Sequence, residues 1–321
     1  MLAAYAARTD RDDPLSALEL GEQPAPEARA GWAVVDVRAA SLNQHDLWSL
    51  RGVGLPEDRL PMILGCDAAG VDDQGNEVIV HAVVTDPDWR ADETLDPRRT
   101  ILSEEHPGTF AERVAVPRRN LIPKPAELSF VEASCLPTAW LTAYRMLFTR
   151  ARAVPGSTVL VQGAGGGVST ALVALGSAAG LRVWVTSRSA ERRAKALELG
   201  AEQAFEPDAR LPARVDAVME TVGAATWSHS VRSVRSGGTI VVAGATTGDA
   251  SPAALSHVFF RQLSVVGSTM GTREELEQLV AFCVRGGIKP PVHEVLPLQE
   301  IRRGLADLLS ETVVGKVVVT V

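Results

Sequence analysis

Residues 158–161 (Thr-Val-Leu-Val) run into Gln162-Gly-Ala-Gly-Gly-Gly-Val168, then an apolar stretch, then Arg182-Val-Trp-Val-Thr-Ser-Arg188. A short β-run, a glycine turn, a helix-length apolar segment and a second β-run make a βαβ unit with parallel strands. Glycines there let backbone N–H groups and a helix N-terminus approach a pyrophosphate without Cβ obstruction. From Gly163 the strict Gly-x-Gly-x-x-Gly form fails, because Val168 takes the last position; one register on, Ala164-x-Gly166-x-x-Ser169 gives a looser version. Its place between strand and helix predicts a dinucleotide site on Ala164, Gly165, Gly166, Gly167 and Val168; a plain strand-to-helix turn is the alternative.

The end of the second strand bears on which dinucleotide. An NAD site commonly presents Asp or Glu to the ribose hydroxyls, whereas Thr186-Ser187-Arg188, with Arg192 one turn later, offers hydroxyls and cations. Ser187, Arg188 and Arg192 therefore predict NADPH, with Arg on the ribose phosphate, although Glu191 weakens the local field. Arginines that merely solvate a helix start are the alternative.

Residues 153–181 carry no charge, long enough to be mistaken for a membrane span, but Pro155, Gly156, Gln162 and the glycines break the run. The N-terminus lacks a basic lead followed by a long apolar stretch, so neither export nor insertion is expected. A net charge of −7, from 32 basic and 39 acidic residues, gives no basic footprint for nucleic acid. Cys66, Cys135 and Cys283 are too few and too scattered for a disulfide scaffold or a structural zinc site, which suits a reducing, cytoplasmic setting.

Before the turn, β-like pieces at 33–39, 77–81 and 111–117 predict a β-rich domain. Residues 85–107, rich in Asp, Glu, Pro and Arg, read as a polar surface excursion whose charges need no special function. From about residue 126 the period changes: helical stretches at 131–133, 140–151, 190–199 and 224–234 alternate with strands at 183–186, 215–220 and 239–243, a doubly wound α/β fold. A strand at 263–267, helices at 273–285 and 298–309, and a last strand at 316–321 follow.

At this point the chain resembles the medium-chain dehydrogenase/reductase superfamily, specifically its zinc-independent quinone oxidoreductase-like branch. The resemblance rests on Ser41-Leu-Asn-Gln-His-Asp-Leu-Trp48, Leu64-Gly-Cys-Asp-Ala-Ala-Gly70, Gly108-Thr-Phe-Ala-Glu-Arg-Val-Ala-Val-Pro117, Leu136-Pro-Thr-Ala-Trp-Leu-Thr-Ala-Tyr144, the glycine turn, and Val266-Gly-Ser-Thr-Met270. It implies a Rossmann-type domain joined to a β-rich chaperonin-10-like (GroES-like) domain, divided as 1–124, 125–262 and a returning 263–321. It also implies dinucleotide contacts from Gly244, Ala245, Thr246, Gly267, Ser268 and Lys316, and a homodimer or tetramer.

Where zinc-dependent relatives place catalytic ligands, the resemblance puts Asn43, Cys66 and Thr138, and the four-cysteine structural lobe is missing. One thiolate beside an amide and a hydroxyl cannot close a zinc site, so no metal is expected. A rearranged set of His45, Asp46, Cys66 and Asp67 is the competing possibility; against it, the two Asp residues bridge loops and Cys66 fills a small buried space. The implied reaction is hydride transfer from NADPH to a small apolar quinone or α,β-unsaturated carbonyl. In that reading Asn43 and Thr138 donate to the acceptor oxygen, His45 relays a proton, and Trp48 or Trp140 forms an apolar wall. An atypical zinc alcohol dehydrogenase and a nucleotide-binding structural or regulatory protein are the alternatives.

Overall fold

The computed structural model describes residues 1–27, 29–249, 252–253 and 255–321. The chain forms two compact units, Met1–Leu141 with Met270–Val321, and Thr142–Thr269.

The first unit is built on a seven-stranded sheet. Its long central strand, Trp32–Ser41, alternates buried Ala33, Val35 and Val37 with more exposed neighbours, the period of a strand covered on one face. It pairs antiparallel with Ala68–Asp72, with Arg113–Pro117 and with the C-terminal strand Lys316–Thr320, itself parallel to Val292–Pro297. The end of the chain is thus threaded into the N-terminal sheet, which brings Lys316 beside Leu42 and Asn43.

The second unit holds a six-stranded, wholly parallel sheet. Its strands lie in the order Gln203–Phe205, Arg182–Thr186, Thr158–Val161, Val215–Glu220, Val234–Val242 and Ser264–Gly267. That is the Rossmann order 3-2-1-4-5-6, with its switch point between Thr158–Val161 and Val215–Glu220. The inner strands carry most of the sheet's buried Val, Leu, Ile and Met, as a sheet covered on both faces requires, while the edge strands Gln203–Phe205 and Ser264–Gly267 are more exposed. Helix Gly167–Ala178 follows the first strand and buries Ala171, Leu172, Val173 and Leu175.

Both chain crossings fall later than the boundaries at 124/125 and 262/263 expected from sequence. The change of period near residue 126 marks the start of helix Phe130–Ser134, which packs on Trp32–Ser41 and Ala68–Asp72 and so stays with the first unit. Strand Ser264–Gly267 pairs with Val234–Val242 and delays the return crossing. The segment expected as one helix at 140–151 is a short α-helix, Leu141–Tyr144, flanked by π-helical turns. No helix among the described residues is long and apolar enough to cross a membrane.

Candidate active site

In the second unit, the residues expected to bind a dinucleotide gather at the carboxyl ends of the parallel strands. Gly163 and Gly165 adopt φ of +82° and +102°, which a side chain would strain, and the turn opens into helix Gly167–Ala178. The first N–H groups of that helix have no intrahelical partner and suit an anionic ligand. The Arg192 side chain lies across Gly165, where an added Cβ would come within 2.8 Å of its Cδ. Ser187 and exposed Arg188 follow the neighbouring strand. Gly244, Ala245 and Thr246 lie just beyond Val234–Val242, and Gly267 and Ser268 end Ser264–Gly267.

Beneath the turn lies a buried polar network that sequence reasoning did not foresee. Thr186 Oγ1 donates to Gln162 Oε1 at 2.6 Å; Gln162 Nε2 donates to Ser230 Oγ at 3.0 Å and lies 2.9 Å from His229 Nδ1. Ser230 in turn donates to Glu220 Oε2, whose Oε1 accepts from Val222 N, Gly223 N and Thr226 Oγ1. The network ties the ends of three strands to helix Trp227–Ser233 and so fixes the entry to the glycine turn.

In the first unit, Asn43, His45, Cys66, Asp67 and Thr138 come together, and Lys316 joins them. Asp46 Oδ2 accepts from Asn43 N at 2.7 Å, closing the start of helix Gln44–Leu50. Lys316, 2% exposed, donates to Leu42 O at 2.7 Å and Asn43 Oδ1 at 2.6 Å, with Asp67 Oδ2 at 3.5 Å. Its expected part in dinucleotide binding is therefore corrected: the ammonium is enclosed among three oxygens of the first unit and has no donor to spare. Because Lys316 occupies the Asn43 carbonyl oxygen, the amide N–H2 faces the other way, toward Asp67 Oδ2 (2.8 Å), Ser41 O (3.2 Å) and Cys66 Sγ (3.7 Å). Asp67 Oδ2 also takes the Ser41 hydroxyl at 2.7 Å. Asp67 thus bridges two segments, and fully buried Cys66 fills a small space, 3.3 Å from Thr138 Oγ1. Trp140 is also fully buried, and is core rather than an exposed wall.

His45 Nε2 lies 3.1 Å from Glu104 Oε1. Glu104 is the residue that sequence reasoning missed, inside the supposed surface excursion. Burial pulls the His45 pKa down, but the hydrogen bond to Glu104 and the charges of Asp46, Glu104 and Asp67 outweigh it, leaving the imidazole above its usual range. Burial pushes the Asp46 carboxyl up to about 6, opposed by the charge of His45. The Cys66 thiol is pushed well above its ordinary range by burial and then by the neighbouring Asp67 and Asp46 charges.

A zinc ion needs deprotonated nitrogen, oxygen or sulfur donors. At the three positions Asn43, Cys66 and Thr138, the amide presents N–H toward the sulfur, and N–H is no ligand. In the second set, ligand atoms of His45, Asp46 and Cys66 lie within 4.8 Å of one another. There one imidazole nitrogen faces Glu104, one Asp46 oxygen accepts from Asn43 N, and one Asp67 oxygen lies by the Lys316 ammonium, while His45 Nδ1, Asp46 Oδ1 and Asp67 Oδ1 are buried with no hydrogen-bond partner among the described residues. The first set thus offers one thiol beside an amide N–H and a hydroxyl, whereas the second keeps one unpartnered donor atom on each of His45, Asp46 and Asp67 beside a Cys66 thiol that burial holds protonated.

Residues 29–126 match the family profile of the alcohol dehydrogenase GroES-like domain, and residues 167–285 that of zinc-binding dehydrogenases. A crystal structure of an NAD-dependent alcohol dehydrogenase is 34% identical with a TM-score of 0.91, each chain covered in full (100%). The chain is 29% identical to an acryloyl-coenzyme A reductase of Metallosphaera sedula, over 94% of this chain and 96% of the relative. It is 26% identical, with a TM-score of 0.93, to a 2-octenoyl-CoA carboxylase reductase solved with NADP and 2-octenoyl-CoA, over 99% of this chain and 87% of that one. The protein belongs to the medium-chain dehydrogenase/reductase superfamily, with a Rossmann-type nucleotide-binding domain joined to a β-rich GroES-like domain.

Proposed function

We propose that the protein is an NADPH-dependent reductase of α,β-unsaturated carbonyl compounds, with enoyl thioesters as the first substrate class, working without a catalytic metal. The observation that carries this reading is that, at the positions where the resemblance places the family's metal ligands, Asn43 turns its amide N–H2 toward Cys66 while Lys316 holds its oxygen on the other side. Alcohol oxidation in this family needs an electrophile on the alkoxide oxygen, and these groups supply none. An activated C=C bond instead delocalises its own developing charge onto the carbonyl oxygen. Enoyl thioesters come first because two of the three relatives named above are an acryloyl-coenzyme A reductase and a 2-octenoyl-CoA carboxylase reductase; a quinone would present a similar oxygen to the same donors.

When bound, NADPH supplies the hydride. The glycine turn, residues 164–168, would hold its pyrophosphate, and Ser187, Arg188 and Arg192 its ribose phosphate. Thr138 is the oxyanion donor: with the Cys66 thiol protonated, S–H can donate to Thr138 Oγ1 and release the hydroxyl hydrogen for substrate. Asn43, 6% exposed and committed to Asp67 and Ser41, fixes the cluster and is a positioning residue. His45 returns the proton to the α carbon. A homodimer, as the family resemblance implies, is part of this proposal.

The test is NADPH oxidation with crotonyl-CoA, a free enone, a quinone and a primary alcohol with NADP as separate substrates. Preferential turnover of the thioester supports the reading. Alcohol oxidation exceeding reduction of all three acceptors contradicts it.

A further inference from the structure

The polar network beneath the glycine turn has a direction that its geometry fixes. His229 Nε2 lies 2.9 Å from Ala209 O, which can only accept, so Nε2 carries a hydrogen and Nδ1 is left as an acceptor. Ser230 gives its hydrogen to Glu220 Oε2 at 2.5 Å and can then only accept from Gln162. Both neighbours therefore require the Gln162 N–H2, while its Oε1 takes the Thr186 hydroxyl. Thr186 Oγ1 keeps a lone pair for Gly163 N, at 3.4 Å. The hydrogens thus all point one way, from Gly163 through Thr186, Gln162 and Ser230 to Glu220.

Glu220 holds the next loop as well. It is 0% exposed, and its Oε1 accepts from Val222 N at 2.9 Å, Gly223 N at 3.0 Å and Thr226 Oγ1 at 2.8 Å. That loop in turn holds another: Val222 O accepts from Thr247 N and Thr247 Oγ1, and Gly248 O accepts from Ala224 N. Residues 244–246, expected on the dinucleotide, lie in this second loop. The glycine turn and the first loop also touch, since a Cβ added at Gly163 would stand 3.2 Å from Val222 Cγ2. One carboxylate, beside the switch point, thus governs the segments that meet at the carboxyl ends of the strands.

We propose that Glu220 is a positioning residue of the dinucleotide site: its buried carboxylate fixes the direction of this chain, and through it the geometry in which the glycine turn meets the pyrophosphate and residues 244–246 meet the rest of the cofactor. The inference rests on the NADPH site proposed above. Glu220 touches no ligand in this role and acts by preorganisation, because a turn already held in the binding geometry loses less freedom when cofactor arrives. It therefore serves what NADPH and NADH share, not the ribose phosphate. The Thr186 hydroxyl, committed inward to Gln162, is withdrawn from the ribose, which leaves the choice of cofactor to Ser187, Arg188 and Arg192.

Glu220→Gln is the informative perturbation, because it exchanges an oxygen for N–H2 and keeps the shape. The remaining oxygen can still take Val222, Gly223 and Thr226, but the N–H2 then faces Ser230, whose hydrogen loses its acceptor. Turning Gln162 over to supply one would set its oxygen against His229 Nδ1 and its N–H2 against Thr186 Oγ1 at 2.6 Å, closer than an N–H···O bond prefers. Each arrangement leaves a buried hydrogen or lone pair without a partner, and the misfit is passed to Gly163 and to the 221–226 loop.

The experiment is calorimetric titration of full-length Glu220→Gln with NADPH and with NADH, beside urea unfolding. Ile240→Ala, which truncates a fully buried side chain of the same sheet, is the control for lost stability. In Glu220→Gln both dissociation constants should rise roughly tenfold, by factors that agree within about twofold. Ile240→Ala should unfold at lower urea with NADPH affinity within about twofold of wild type. Should Glu220→Gln not fold, Thr186→Val cuts the link to Gly163 and should weaken both cofactors about fivefold, with Thr186→Ser, which keeps the hydroxyl, restoring them. Unchanged affinity in Glu220→Gln, or in Thr186→Val where it stands in, overturns the role of Glu220. So does a loss matched by Ile240→Ala, which is general loosening, and so does a loss confined to NADPH, which places the effect at the ribose phosphate. The expected losses in a protein that reduces no enone, thioester or quinone leave Glu220 standing and defeat the proposed reaction instead.

Discussion

Replacing Lys316 by Met keeps most of the side-chain volume and removes the charge on which the cluster is organised. Three consequences can be sized from the structure. Asp67, fully buried, loses its counter-charge, and breaking a buried pair in this way costs about 3–5 kcal/mol. Leu42 O and Asn43 Oδ1 lose their donor, at about 1–3 kcal/mol for each acceptor left dry. These terms share groups and do not add in full, so a net loss of roughly 4–6 kcal/mol is expected. For a unit of this size that lowers the melting temperature by roughly 10 °C or more. Urea unfolding of wild type and Lys316→Met measures it, and Lys316→Met with Asp67→Asn should recover roughly 2 kcal/mol or more of the loss. NADPH affinity of the folded variant should stay within about twofold, because the ammonium serves the first unit. A stability loss under about 1 kcal/mol, with NADPH binding weakened roughly tenfold, would refute the placement of Lys316 inside the cluster.

Asp46→Asn should stabilise the protein at neutral pH by roughly 1–3 kcal/mol. With its folded pKa raised to about 6 from 3.8, the carboxyl contributes stability that is lost as pH rises between those values, so the advantage of Asn should vanish below about pH 4 in a pH series of urea melts. His81 has the opposite sign: burial holds it down at about 4, its Nε2 donating to Gly271 O, so stability present above 6.5 drains away as pH falls toward 4, and His81→Gln should flatten that acid limb. Arg188→Ala should raise the NADPH dissociation constant roughly tenfold or more and change NADH binding much less; equal losses would remove it from the phosphate site. Thr138→Val should lower kcat for thioester reduction by about 100-fold with NADPH affinity unmoved, whereas unaltered turnover would exclude the hydroxyl as oxyanion donor.

The nucleotide-binding unit was the more legible half because its signals are local. Strand Thr158–Val161, glycines at positions needing positive φ, and helix Gly167–Ala178 are consecutive, and each residue type has one structural reason to be there. The first unit depends on contacts far apart in the chain. Lys316 reads in sequence as a cation after a glycine, and only the pairing of Lys316–Thr320 with Trp32–Ser41 turns it inward to Asn43. Glu104 and Asp96 cannot be told from solvated carboxylates by composition, since what distinguishes them is the backbone N–H groups brought to meet them. Strands Leu2–Ala6 and Ala68–Asp72 escaped notice because Ala and Gly carry little β-signal, and their burial comes from neighbouring strands.

Reduction of an activated double bond is proposed for a site whose buried positive charge is Lys316 and not a metal. Its most direct test is the rate of crotonyl-CoA reduction by NADPH before and after exhaustive chelation, with zinc determined in both samples. An unchanged rate is expected in protein holding far less than one zinc per chain. A rate abolished by chelation and restored by about one zinc per chain would contradict it.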